Sequence, residues 1–142
     1  MKLTYQSNID ELQKLSDDIA VFAEKHHLDE HVVFALNLCL DEALTNIIIH
    51  GLSHQENERI EIDLVLKEDC VIATISDNGV PFNPLTNMDK HPDTEAEIEQ
   101  RDIGGLGFFL IEKYMDNIEY RRKGDQNILT MTKNIHQPAS QG

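Results

Sequence analysis

The stretch Asp41-Glu42-Ala43-Leu44-Thr45-Asn46-Ile47-Ile48-Ile49-His50-Gly51 decides how the rest of the chain is read. It closes a segment from Glu30 to His50 that is apolar on nearly every side, which predicts a central helix, capped by Asp29 and stopped by Gly51. Glu42 and Asn46 stand one turn apart on one face of that helix. An amide beside three isoleucines is costly to bury without a partner. Two readings stay open at this point: a solvent-facing stripe in which Asn46 bonds back to Glu42, or a polar pair kept for chemistry.

Upstream, Lys2–Gln6 reads as a short edge strand, and Ser7 and Asn8, with Asp10 and Glu11 three residues after each, form an N-cap signature. Ile9, Leu12, Leu15, Ile19 and Phe22 then recur at helical spacing, predicting an amphipathic helix that ends near His26 or His27. Downstream the period changes to two. Ile60, Ile62, Leu64 and Leu66 begin one strand and Cys70–Ser76 a second, joined by a turn at Lys67-Glu68-Asp69.

From Asp77 to about Asp102 the pattern dissolves into a stretch carrying Pro81, Pro84 and Pro92, a length expected of a functional lid or a mobile segment. Six acids against two bases between Asp89 and Asp102 make it strongly acidic, read as a solvated segment rather than a docking surface. Gly104–Met115 turns helical again. Strands at Asn117–Arg122 and Asn127–Asn134 close the domain around a Gly124-Asp125 turn. The order implies an α+β fold: a two-layer α/β sandwich with a mixed, mostly antiparallel sheet and helices on one face. Residues 1–135 read as one domain and 136–142 as a disordered tail.

Composition narrows the function. The chain has 142 residues, 40% hydrophobic and 27% charged, enough for one domain with a core. Twelve Lys and Arg against 26 Asp and Glu give a net charge of −14. Such a surface repels phosphate backbones and anionic lipid, so neither nucleic acid nor membrane is expected as a partner. No apolar run is read as membrane-spanning and no leader opens the chain, so a cytoplasmic location is expected. Cys39 and Cys70 lack metal spacing and read as reduced, buried thiols. His26, His27 and His31 cluster and His50 and His54 are close, but Gly51 interrupts the second pair and no third ligand is evident.

Two further segments stand out. Ile75-Ser76-Asp77-Asn78-Gly79-Val80-Pro81-Phe82 places a carboxylate at a strand end before a glycine that lets a ligand approach, though a plain turn has the same letters. Arg101-Asp102-Ile103-Gly104-Gly105-Leu106-Gly107-Phe108-Phe109 runs glycines into a helix N-terminus, an arrangement suited to anions, or merely to easing a loop into a helix. It is neither a dinucleotide fingerprint nor a Walker phosphate loop.

Together the three segments resemble the N, G1 and G2 boxes of the GHKL (Bergerat-fold, histidine-kinase-like) ATPases. The resemblance is strongest to the small bacterial anti-sigma factor serine/threonine kinases and covers about residues 3–134. It implies ATP and Mg2+ as cofactors, with Asn46 as metal ligand and Glu42 as the general base that accepts the proton of an attacking hydroxyl. It further implies that Asp77 accepts a hydrogen bond from the adenine amino group, that Gly79 leaves room for the ring, and that Gly105, Leu106 and Gly107 wrap the phosphates. Arg101 would neutralise charge on the γ-phosphate, and Thr130 would reach adenine through water. Pro81 stands where many relatives carry a second glycine, implying a stiffer pocket.

The function implied is an ATP-dependent protein serine/threonine kinase acting as an anti-sigma factor. It would phosphorylate an anti-sigma factor antagonist, sequester a sigma factor and work as a homodimer. The rival is a nucleotide-gated binding module with little kinase turnover, which would have no need of a base one turn from the metal ligand. A phosphotransfer histidine kinase is a third reading, weakened because no separate domain carries a phosphoacceptor histidine.

Overall fold

A computed structural model of the protein describes residues 1–52, 58–81 and 111–135. The elements run β1 (Lys2–Gln6), α1 (Glu11–His26), α2 (Glu30–Asn46), a π-helical segment (Ile47–Gly51), β2 (Arg59–Lys67), β3 (Cys70–Asp77), β4 (Asn117–Lys123) and β5 (Gln126–Asn134). Residues 111–114 add a helical turn before β4. The strands form one sheet in the order β1-β2-β3-β5-β4, and all four pairings are antiparallel. The expected mixture of parallel and antiparallel pairs is therefore corrected for the described strands.

Alternation gives the sheet its two characters. On one face Ile60, Ile62 and Leu64 of β2, Val71, Ala73 and Ile75 of β3, and Leu129 and Met131 of β5 are buried. They share one core with Leu15, Ile19 and Phe22 of α1 and Val32, Leu36, Leu40 and Leu44 of α2. The opposite positions, Glu61, Asp63, Thr74, Ser76, Ile128, Thr130 and Thr132, stay exposed or half-exposed. The helices thus cover one face of the sheet, as the element order implied.

Glu30–Ile49 is long and apolar enough to pass as a membrane span by length and hydropathy, against the expectation that no such run exists. Much of it is buried in the protein, and those apolar sides are what make it the core helix. Cys39 is fully buried, and burial pushes its thiol up to about 12. Cys70, expected to be buried, is half-exposed where β3 begins.

The N-cap reading needs revision. Asp10, not Ser7 or Asn8, occupies the cap of α1, without a side-chain cap bond. Asn8 instead holds the Asp10 amide at 2.9 Å, and Glu11 reaches back to the Gln6 amide at 2.9 Å. Ser7 exchanges two hydrogen bonds with Glu58, stitching the end of β1 to the start of β2. Farther along β1 the buried Tyr5 donates from its hydroxyl to Asp18 at 2.7 Å, fixing the strand to α1. The β2–β3 turn is tight, with Lys67 paired to Cys70 and Glu68 at φ 50°.

Candidate functional site

The helix expected to run unbroken to His50 changes register after Asn46. α2 ends at Asn46, and the next five residues are π-helical, with the Leu52 amide bonded to the Ile47 carbonyl at 2.7 Å. A π turn inside a helical run is uncommon and often marks a functional site. Asn46 is 1% exposed, so the solvent-facing stripe is excluded for it. Glu42, one turn earlier, is half-buried, and its Oε2 lies buried without a hydrogen-bond partner. Burial, and then the neighbouring Asp41 charge, hold the Glu42 carboxyl above its usual range. A carboxylate short of donors is a better proton acceptor, the property a general base needs.

Asp77 ends β3 on the helix-covered face, 4% exposed. Its Oδ1 accepts from the Gly79 amide at 2.8 Å and from Asn127 Nδ2 at 3.1 Å. The turn reading and the site reading of Asp77-Asn78-Gly79 are therefore compatible, because Asp77 closes the turn with one oxygen. Arg122 donates to the Gly79 carbonyl at 2.7 Å and to the Gly124 carbonyl at 3.2 Å, bracing the same segment.

The two clusters are related through the chain and through the core. The π segment ends at Gly51, β2 starts at Arg59, and Ile60 pairs with Asp77. In sequence, residues 52–58 lie between the π segment and the strand whose Ile60 is the partner of Asp77. Ile47, Ile48 and Leu52 belong to the same core as Ile60 and Ile75, which flank Asp77.

Thr130 does not join this site. It pairs with Thr74 and Glu119, whose side chains share the outer face, whereas Asp77 pairs with Asn127 on the covered face. A cavity of about 200 Å³ beside Thr130 is lined by Glu119, Tyr120, Arg121, Ile128 and Thr130. The residue overlooked in the sequence is Asn127. It is 5% exposed and shares the parity of Leu129 and Met131, a polar residue on the buried face of its strand. That parity was the available signal. Arg101, Gly105, Leu106 and Gly107 lie outside the described residues, as do the acidic lid beyond Pro81, the first part of the helix from Gly104, and the tail from His136.

The histidine kinase-like ATPase domain family matches residues 5–133. The chain belongs to that family. It is 33% identical over 98 residues to a serine-protein kinase RsbW of Listeria monocytogenes, a match covering 67% of this chain and 62% of that protein. It is also 30% identical over 104 residues to an anti-sigma F factor of Clostridium perfringens, covering 71% of each. Among solved structures, that of the RsbU and RsbW domains of a Mycobacterium tuberculosis protein matches with a TM-score of 0.63 at 12% identity, over 98% of this chain and 34% of that one. At that identity the likeness establishes the fold. The chain accounts for under two thirds of the Listeria relative.

Proposed function

We propose that the chain is an ATP- and Mg2+-dependent protein serine/threonine kinase of the anti-sigma type. The observation that carries this reading is the Glu42–Asn46 pair: a carboxyl with a buried, unpartnered oxygen one turn from a buried amide at an α-to-π switch. A protein that only binds nucleotide gains nothing from leaving a carboxyl oxygen in that state, at a cost of about 1–3 kcal/mol. The relatives' names, a serine-protein kinase and an anti-sigma factor, support the same assignment.

The roles divide by chemistry. Asn46 supplies a neutral amide oxygen suited to a hard cation that keeps most of its waters, and Mg2+, when bound, would neutralise phosphate charge. Glu42 would take the proton of the attacking serine or threonine hydroxyl. Asp77 would accept from the adenine amine, and Gly79 would give the ring its room. Arg101 would face the γ-phosphate, and Gly105, Leu106 and Gly107 would close over the phosphates. The acceptor would be an antagonist protein, the sequestered partner a sigma factor, and the working unit a cytoplasmic homodimer.

Calorimetric titration with ATP, with and without Mg2+, tests the metal assignment. Wild type should bind ATP more tightly with Mg2+, and Asn46→Ala should lose most of that enhancement. An enhancement unchanged in Asn46→Ala would remove Asn46 from the metal site. ATP binding without any phosphate transfer to an antagonist would leave a nucleotide-gated binding module instead.

A further inference from the structure

Asp77 and Asn127 face each other directly across the β3–β5 ladder, and both are buried. The amide of Asn127 has acceptors along one side: Val80 O at 2.8 Å, Asp77 Oδ1 at 3.1 Å and Gly79 O at 3.5 Å. An amide oxygen set against those three would be repelled, so the NH2 group must face them. On its other side the Tyr120 hydroxyl donates to Asn127 Oδ1 at 2.6 Å. Tyr120 belongs to β4 and is paired with Leu129, so its ring shares the covered face and reaches Asn127 diagonally. The amide is therefore held at both ends, and its polarity is fixed.

The consequence falls on Asp77. Two donors, the Gly79 amide and Asn127 Nδ2, converge on Oδ1, and both hydrogen bonds that the Asp77 side chain accepts from the described residues fall on that oxygen. Among the described residues, one oxygen is held by the protein and the other is left as an acceptor. With the Gly79 amide alone, the carboxyl could turn about its last bond and offer either oxygen in a range of orientations.

We propose that Asn127, held by Tyr120, is the positioning residue that sets purine selectivity: it locks Asp77 with Oδ2 available, so that a ring bearing an exocyclic amine is preferred. This inference rests on the adenine-nucleotide reading above. Arg122 supports it by fixing the Gly79 carbonyl, so β4 and β5 together hold the segment on which Asp77 turns.

The test is calorimetric titration of the full chain with ATP and with purine riboside triphosphate, which lacks the amine, on wild type, Asn127→Ala and Tyr120→Phe. Thermal melts accompany each variant. Wild type should favour ATP by roughly tenfold or more, the scale of a hydrogen bond to a charged group. Asn127→Ala should narrow that preference to about threefold or less, and Tyr120→Phe should fall between the two. Tyr120→Phe removes only one oxygen, so it carries the test if Asn127→Ala does not fold. Both variants retaining the wild-type preference, even with lower melting temperatures, would overturn the proposal and leave the amide a structural brace. Wild type binding neither nucleotide would overturn the nucleotide reading itself, and this inference with it.

Discussion

Asp77 and Glu42 are both carboxyl groups at the polar margin of one core, and the fold treats them differently. Asp77 is almost wholly buried yet receives two hydrogen bonds on one oxygen. Glu42 is more exposed overall, yet its Oε2 is sealed from both water and donors. A group that recognises a ligand benefits from rigid orientation before the ligand arrives. A group that must accept a proton benefits from unmet demand for one. On the proposed function, the contrast would separate binding from reaction.

Breaking the reactive side should have the largest effect. Glu42→Ala is expected to slow phosphate transfer from ATP to an antagonist protein by about 10²–10⁴-fold. Its ATP affinity, measured by calorimetry, should stay within about threefold of wild type, because the loss falls in the transition state. Breaking the recognition side should do the opposite. Asp77→Asn can keep an oxygen for Gly79 and Asn127 while placing an NH2 where the adenine amine would donate. It should weaken ATP binding roughly tenfold to a hundredfold while costing little in melting temperature.

A finer probe sharpens the comparison through stability. Because burial and Asp41 raise the Glu42 carboxyl, the folded chain holds that proton more tightly than the unfolded chain does. The penalty is absent below the ordinary carboxylate range and grows as pH rises through the raised value. Glu42→Gln should therefore be more stable than wild type at neutral pH, by about 1 kcal/mol or roughly 2–4 °C in melting temperature. The gain should shrink on acidification, as melts across pH would show. The smallest effect belongs to Thr130→Val. On the outer face it should leave ATP affinity unchanged by titration, whereas a loss would return Thr130 to the adenine pocket.

The strands were legible because alternation and turn residues agree: Ile60, Ile62 and Leu64 could face only one way, and Gly124, at φ 62°, takes the turn conformation. Glu42 and Asn46 stand out in the sequence as polar residues in an apolar helix, and Asp77 as a carboxylate at a strand end before a glycine. Three features were not. Ser7 resembled a cap because the letters of a cap and of a strand tether are the same, and only the fold brings Glu58 near. Thr130 was off by parity, since a one-residue slip moves a strand side chain to the other face. Asn127 sits beside the Gly124-Asp125 turn, where an asparagine is unremarkable until its strand partner is known to be Asp77.

The π segment at Ile47–Gly51 has one more consequence, for how this chain tolerates changes in length. A turn that closes from residue 47 to residue 52 holds one residue more than an α turn does. Removing any one of Ile47, Ile48 or Ile49 would let the helix revert to regular winding. A π turn spreads that extra residue over nearly the rotation of one α turn, so after such a deletion the chain would still meet the core with the same face, whereas an added residue, turning the chain by about 100°, would change it. Swapping one isoleucine for another aliphatic residue is a matter of packing and losing one removes the π turn, whereas adding one re-aims the entry into β2 and the strand pairing that holds Asp77. Variants of this helix should therefore sort by length before they sort by chemistry.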